Sequence, residues 1–512
     1  MVYLIKKQEG YMKKFDIAVI GGGSGLMVID AALNKKMKCA IIEKAKFGGT
    51  CLTRGCIPSK MLVYPADLIR ETHKSSRIGL DFSPPVINWD TVANRMWRQI
   101  SYSSKIKEGL NQSEGLTVYT GIGEFTSSKT MRVSSEAGNE IEEFEADRFI
   151  IAAGARSFVP NIEGLNDVGY VTSETFFGDK FPANPWKSLI IIGGGAIGAE
   201  FAHIFSSFGT KVTMIERRPH ILSGEEEEIS QFVEKQFRHN NIDLFTNYKI
   251  NFVEKANGNK LLLIEENSTG NTTSVQAEEI FVSSGIIPNS DLLKLEKAGV
   301  ETDARGWIST NEYLETSQKN IWAIGDINGK YQFRHKANYE ATILIRNLFE
   351  TDEKKVVKYE SVPWAIFTWP QVAHVGLTES QAKSRGLKIW IGKNYYSDVA
   401  GGIAMGYSKR SEDDGFVKII VGENKKIIGV HIVGPYSAML LQPFVYLMNT
   451  EYQCKCINEK TSKKNEHSSK LSSVLCPQSG SYLPIDDSMI IHPSLNELTA
   501  WVIDNIDWRK EA

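Results

Sequence analysis

GGTCLTRGCIPSK, Gly48 to Lys60, sets Cys51 and Cys56 in a C-x4-C pair bracketed by glycines and closed by a proline. Gly48, Gly49 and Gly55 let the backbone turn tightly and approach a flat ligand. Pro58 suits the first turn of a helix running into Met61 and Leu62, which places Cys56 at a helix N-terminus. Unpaired N–H groups and the positive end of the helix dipole there favour thiolate over thiol, as a cysteine that exchanges electrons or attacks a disulfide requires. Taken alone the stretch also fits two ordinary buried cysteines. It does not fit the C-x2-C half-site of zinc, and six cysteines in 512 residues are no secreted disulfide scaffold.

Upstream, the apolar run Phe15–Ile20 leads into GGGSGL (Gly21–Leu26), a helix-compatible stretch to Lys36, a second apolar run Lys38–Ile42, and Glu43. Strand, glycine turn, helix, strand, acid is the unit in which glycines admit a pyrophosphate to a helix N-terminus and the acid bonds a ribose hydroxyl. Leu26 stands where Gly or Ala normally permits close helix–strand packing, so the packing there is in question. The unit recurs from Ser188 as SLIII, GGGAIG (Gly193–Gly198), a helix to Phe208, KVTMI and Glu216, this time without exception to G-x-G-x-x-G. Two units mean two dinucleotides, or one and a degenerate copy; the acid carried by each favours two.

Around these, Pro65 is expected to kink the cysteine helix, and Trp89–Asn111 reads as one long helix. Arg148–Gly154 reads as a buried strand ending in a glycine turn. IWAIGD (Ile321–Asp326) reads as a strand delivering an aspartate at a turn. From Ser361 strands (Phe416–Val421, Lys426–Val433) and helices alternate with no nucleotide motif, as in a separate α+β domain. Residues 451–480, rich in Lys, Ser, Glu and Asn, read as a surface insertion; Cys454, Cys456, Cys476 and His467 within it have poor metal-ligand spacing. The chain closes on IIHPSLNEL, where His492, Pro493 and Glu497 stand near a helix start. The leader Met1–Tyr11 precedes the first strand and is not expected to be needed for function. A net charge of -2 and 42% hydrophobic residues suggest neither a nucleic-acid nor a membrane-surface partner. No apolar run reaches the ~18 residues of a membrane span, and no signal-peptide pattern opens the chain; the expected location is cytoplasmic.

With both dinucleotide units, the C-x4-C pair and the His-Pro motif, the chain resembles the class I flavin-dependent pyridine nucleotide–disulfide oxidoreductases, within them the dihydrolipoamide dehydrogenases and mycothione-reductase-like relatives. The resemblance implies an α/β fold with two Rossmann-like dinucleotide-binding domains and a C-terminal α+β dimerisation domain. It divides the chain into an FAD-binding domain (12–157 and 289–360), an NAD-binding domain (158–288) and an interface domain (361–512) carrying the 451–480 insertion. It implies FAD contacts at Gly21, Gly23, Glu43, Lys60, Gly123 and Asp326, and contacts to the nicotinamide dinucleotide at Gly193, Gly195, Gly198, Glu216 and Gly285. Cys56 would face the flavin, Cys51 would exchange with substrate, and His492 would be a base held by Glu497. Lys60 and Glu200 match an ion pair beside the flavin. Thr53-Arg54 replace the more usual Asn-Val, which leaves the thiols alone and puts a cation beside them.

The expected activity is oxidation of dihydrolipoamide, free or carried on a protein lipoyl arm, with NAD. Reduction of another small disulfide, such as a mycothiol-type compound, is the alternative; a non-catalytic redox sensor is a third. Glu216 favours NAD by repelling a 2′-phosphate, although Arg217 and Arg218 beside it blur the choice. A homodimer in which His492 serves the partner's thiols is expected, because Cys51 and His492 lie in different domains.

Overall fold

The computed structural model describes residues 12–449, 480–486 and 495–509. Its first unit is built on a parallel five-stranded sheet in the order Ile321–Ala323, Phe149–Ile151, Ile17–Ile20, Cys39–Glu43, Leu116–Thr120. The inner strands are continuous apolar runs, buried on both faces: Ile17, Val19 and Ile41 pack with the helices Gly25–Asn34 and Arg334–Phe349, and Ala18, Ile20 and Ile42 with the strands that carry Phe125, Met131 and Phe144. The helix Gly25–Asn34 makes the crossover between Ile17–Ile20 and Cys39–Glu43, which pair from Ile17↔Cys39 to Ile20↔Ile42. The second unit repeats this on a parallel four-stranded sheet, Asp243–Thr246, Lys211–Glu216, Ser188–Ile192, Glu279–Val282, with the helix Ala196–Ser207 as crossover. The chain passes between the two units through a ribbon of two antiparallel strands, Ala155–Ser157 and Ile286–Pro288.

The third unit is an antiparallel five-stranded sheet, Pro363–Ile366, Val372–Gly376, Ile427–Val433, Phe416–Gly422, Ile389–Tyr395. Helix Ser437–Asn449 packs on it through Leu440, Leu441 and Phe444, and Tyr482 and Leu498 complete the same core. Tyr482 follows Gly480, whose carbonyl accepts from Ile427 N at 2.8 Å, so the chain rejoins this sheet directly after the 451–480 segment. Apart from Gly480, that segment, with Cys454, Cys456, His467 and Cys476, lies outside the described residues, as does Met1–Tyr11. The α/β class with two Rossmann-like units and a C-terminal α+β unit is the one expected.

One local expectation is corrected. The segment 89–111 is two helices, Trp89–Ile100 and Tyr102–Gln112, broken where the Ser101 hydroxyl donates to the Arg98 carbonyl at 2.8 Å. A serine hydroxyl offers the backbone this alternative to a continued helix. The cysteine helix, Cys56–Lys74, holds Pro65 within it.

Candidate active site

The first glycine turn opens on a cleft of about 1130 Å³, lined among others by Gly21, Gly23, Glu43, Gly123, Asp326 and both Cys51 and Cys56. Gly21 has φ +108°, and a Cβ there would stand 2.2 Å from the Ala152 carbonyl oxygen. A Cβ on Gly49 would stand 2.7 Å from the Gly23 Cα, so the glycine turn and the cysteine loop meet backbone to backbone. The question posed by Leu26 is answered one residue earlier. Gly25 is buried at the start of its helix, where a Cβ would stand 2.6 Å from Val19 Cγ1, so it supplies the close helix–strand contact. Glu43 closes the turn: its Oε2 accepts from Gly22 N at 2.7 Å and its Oε1 from Ala45 N at 2.8 Å.

Asp326 enters the cleft from the turn after Ile321–Ala323. Burial pushes its carboxyl up to about 6, against the pull of the Lys336 ammonium. Sequence reasoning missed what holds that turn. Glu340, fully buried, accepts from Gly325 N at 2.7 Å and Asn328 Nδ2 at 2.8 Å, and also from Tyr359. Lys336 pairs with it at 3.1 Å and donates to the Gly325 carbonyl at 3.0 Å. The only signal was the i,i+4 Lys-Glu spacing on one helix, which reads as an ordinary surface pair.

Cys51 sits on the short helix Gly49–Thr53 and Cys56 is the first residue of Cys56–Lys74. The Cys56 thiol donates to the Cys51 sulfur, and this hydrogen bond, with Arg334 and Lys60 adding positive charge, holds Cys51 down at about 6. Cys56, exposed to the cleft, is pushed well up by the same bond. In the dithiol geometry the negative charge therefore rests on Cys51, although the helix N-terminus belongs to Cys56. Arg54 also lines the cleft, 3.9 Å from Glu174.

From the thiols the Cys56–Lys74 helix runs along the Ala196–Ser207 helix of the second unit. Three polar ties bind them: Lys60 to Glu200 at 2.7 Å, Asp67 to His203 at 2.8 Å, and Arg70 to Ser206 at 2.6 Å. Glu200 Oε1 also accepts from Phe367 N at 3.0 Å, and the Lys60 ammonium lies 4.3 Å from the Phe367 ring centre, so the third unit meets the same pair.

The second glycine turn repeats the first. Gly193 has φ +105°, and a Cβ on Gly198 would stand 2.1 Å from the Gly193 carbonyl oxygen, whereas a Cβ on Gly195 or Gly285 would meet nothing within 4 Å. Glu216 accepts from Gly194 N at 2.6 Å and Arg218 N at 2.8 Å, the same two-sided anchorage as Glu43. Arg218 turns its guanidinium to Ser223 Oγ at 2.7 Å. Glu497 is fully buried on the helix Asn496–Ala500, which is tied to the interface sheet where Asn394 Nδ2 donates to the Leu498 carbonyl. His492 lies outside the described residues.

The arrangement of two glycine turns with a dithiol between them has known counterparts. Residues 15–341 match the family model described as pyridine nucleotide-disulphide oxidoreductase, and residues 362–463 match the dimerisation domain of that family. The chain belongs to the pyridine nucleotide-disulphide oxidoreductases. Mycothione reductase of Mycobacterium tuberculosis is 33% identical over 447 residues, covering 86% of this chain and 93% of that protein. Dihydrolipoyl dehydrogenase of Chlamydia pneumoniae is 32% identical over 457 residues, covering 87% and 93%. The HOCl-induced flavoprotein disulfide reductase RclA of Escherichia coli, in its Cu(II) complex, shares the fold with a TM-score of 0.77 at 23% identity, over 96% of this chain and 99% of that one.

Members of the pyridine nucleotide-disulphide oxidoreductase family contain FAD and use NAD(P)H, and the oxidoreductase described here takes the same cofactors. Its residues fit them. At the first turn the backbone packs too closely for a Cβ at Gly21 or Gly49 and opens on the cleft, and the backbone at Gly195 stands open for close approach. Among the described residues no helix is long and apolar enough to cross a membrane.

Proposed function

We propose that the protein is a dihydrolipoyl dehydrogenase, an NAD-linked flavoprotein that oxidises a dithiol, free or carried on a lipoyl arm, at the Cys51–Cys56 pair. The observation that carries this reading is the opening of both cysteines into the cleft shared by the first glycine turn, Glu43 and Asp326. Gly21, Gly23, Glu43, Lys60, Gly123 and Asp326 would hold FAD, with Glu200 pairing Lys60 beside the flavin, and Gly193, Gly195, Gly198, Glu216 and Gly285 would border the nicotinamide dinucleotide. Bound FAD supplies a relay of two electrons between a nicotinamide and a dithiol.

The chain's own residues do the rest. A substrate thiolate attacks Cys51 of the disulfide, forming a mixed disulfide and releasing Cys56 as thiolate. The second substrate thiol, deprotonated by His492, then attacks the substrate sulfur and expels Cys51, so the substrate closes as a disulfide and the enzyme is left reduced. Glu497 orients that histidine, and Lys60, held by Glu200, keeps a positive charge by the thiols. The protein acts as a cytoplasmic homodimer in which His492 of one chain serves the thiols of the other. Tyr64, Leu68 and Tyr436 around a groove and the exposed Met439 beside it support such an interface.

Turnover of dihydrolipoamide with NAD, set against a mycothiol-type disulfide and coenzyme A disulfide with NADH, tests the reading; higher kcat/KM for either disulfide overturns it. Arg54 supports that second reading, since it places a guanidinium in the cleft that a more anionic substrate could use. NAD over NADP is supported by Glu216 at the end of its strand and by Arg218 being engaged with Ser223. A kcat/KM for NADPH at or above that for NADH would reverse the choice.

A further inference from the structure

Away from the thiols, the antiparallel sheet of the third unit carries a row of side chains matched strand to strand: Trp364 opposite His374, His374 opposite His431, His431 opposite Lys418, and Lys418 opposite Lys393. Residues so paired share one face of a sheet. The row meets Glu225–Glu228, which lead into the helix Glu227–His239. Lys418 lies 2.8 Å from Glu226 and 3.1 Å from Glu228, and Lys393 lies 2.5 Å from Glu228. Those contacts are complementary ion pairs and need no further partner.

The other end of the row is different. Glu225 is buried, and among the described residues no Lys or Arg pairs with it. Its Oε1 accepts from Trp364 Nε1 at 2.6 Å, and its Oε2 lies 2.5 Å from His374 Nδ1. His431, fully buried next to them, donates Nε2–H to the Leu377 carbonyl at 2.9 Å, and its Nδ1 has no hydrogen-bond partner among the described residues. With Nε2–H committed to that carbonyl, the Nδ1 lone pair of this imidazole is left unused. One ligating atom from each of Glu225, His374 and His431 lies within 4.8 Å of the other two. A carboxylate without a fixed cation, beside an imidazole whose other nitrogen is fixed by a carbonyl, is the donor set and outer support of a divalent-metal site.

We propose that Glu225, His374 and His431 bind a divalent transition-metal cation of the zinc type, which pins the second nucleotide unit to the interface sheet. Two imidazoles and a carboxylate suit zinc, leaving a fourth position. The cation takes the place of the proton between Glu225 and His374, and that pair opens to admit it, because ligands of one tetrahedral zinc stand about 3.3 Å apart at zinc–ligand distances of about 2.0–2.1 Å. The adjoining cleft of about 1430 Å³, lined by Glu225–Glu228, Glu379 and Lys418, offers a largely anionic approach.

The test uses the FAD-loaded full-length protein carrying Cys51→Ser and Cys56→Ser, so that the redox thiols take no metal. After incubation with zinc and removal of excess on a weak chelating resin, it should retain one equivalent per chain more than the same protein carrying His374→Gln and His431→Gln in addition. Zinc should raise the melting temperature of the first and leave that of the second unmoved. X-ray absorption at the zinc edge of the first protein should show nitrogen and oxygen neighbours with imidazole scattering, a readout that does not depend on the histidine variants folding. Equal zinc content in the two proteins, or a sulfur-dominated shell, overturns the proposal.

Discussion

At the scale of single residues, the Cys56-to-Cys51 hydrogen bond decides which thiol is reactive. With Cys51 held at about 6, iodoacetamide should alkylate it before Cys56 in the two-electron-reduced enzyme. The rate should rise with pH around 6 and be nearly flat from pH 7.5 to 9; a midpoint near 8.5 would show that the bond does not form in solution. Asp326 is the second such residue. Its carboxyl is raised, so the folded state holds the proton more tightly than the unfolded one. The resulting penalty is absent well below about pH 4, where both states are protonated, grows as pH rises from about 4 to about 6, and is at most about 3 kcal/mol above that. In FAD-free protein Asp326→Asn should therefore raise the melting temperature at pH 8 and leave it unchanged at pH 3.5. No gain at pH 8 would mean that Asp326 is already satisfied without the cofactor.

Among elements, the glycine turns were legible in the sequence because every part of them is local: a strand, its turn and an acid some twenty residues on. The Leu26 anomaly was legible as an anomaly only. That Gly25 takes over the contact with Val19 depends on where the helix starts, which the motif does not specify. Gly25→Ala should lower stability by about 1–3 kcal/mol in chemical denaturation, as overpacking against a β-branched neighbour does, whereas Leu26→Ala, on a half-buried position, should cost less. The reverse order would return the packing role to position 26. The Lys336–Glu340 clamp and the Trp364-to-Lys393 row were invisible for another reason: the first hides behind surface-pair spacing, and the second exists only once strand register is known. The three ties along the Cys56–Lys74 and Ala196–Ser207 helices fall between, since Lys60 and Glu200 were expected from the resemblance and His203 was not.

For the whole molecule, the expected sharing of one active site by two chains can be tested by mixing lesions. Cys51→Ser and His492→Ala homodimers should each be nearly inactive, while purified heterodimers, with both lesions in one site and neither in the other, should regain about half of wild-type activity. Recovery near zero in an FAD-loaded heterodimer would place His492 within its own chain's site or outside catalysis. The ribbon of Ala155–Ser157 and Ile286–Pro288 carries a consequence of another kind. Neighbouring strands stand about 4.8 Å apart, so the polypeptide leaves for its second unit and comes back at almost the same point. The second unit is thus plugged in like a cartridge. Excising residues 158–285 and joining the two strands by an Asn-Gly turn would close the socket as a plain hairpin, with the Lys60, Asp67 and Arg70 side chains left as the bare contacts of the connector.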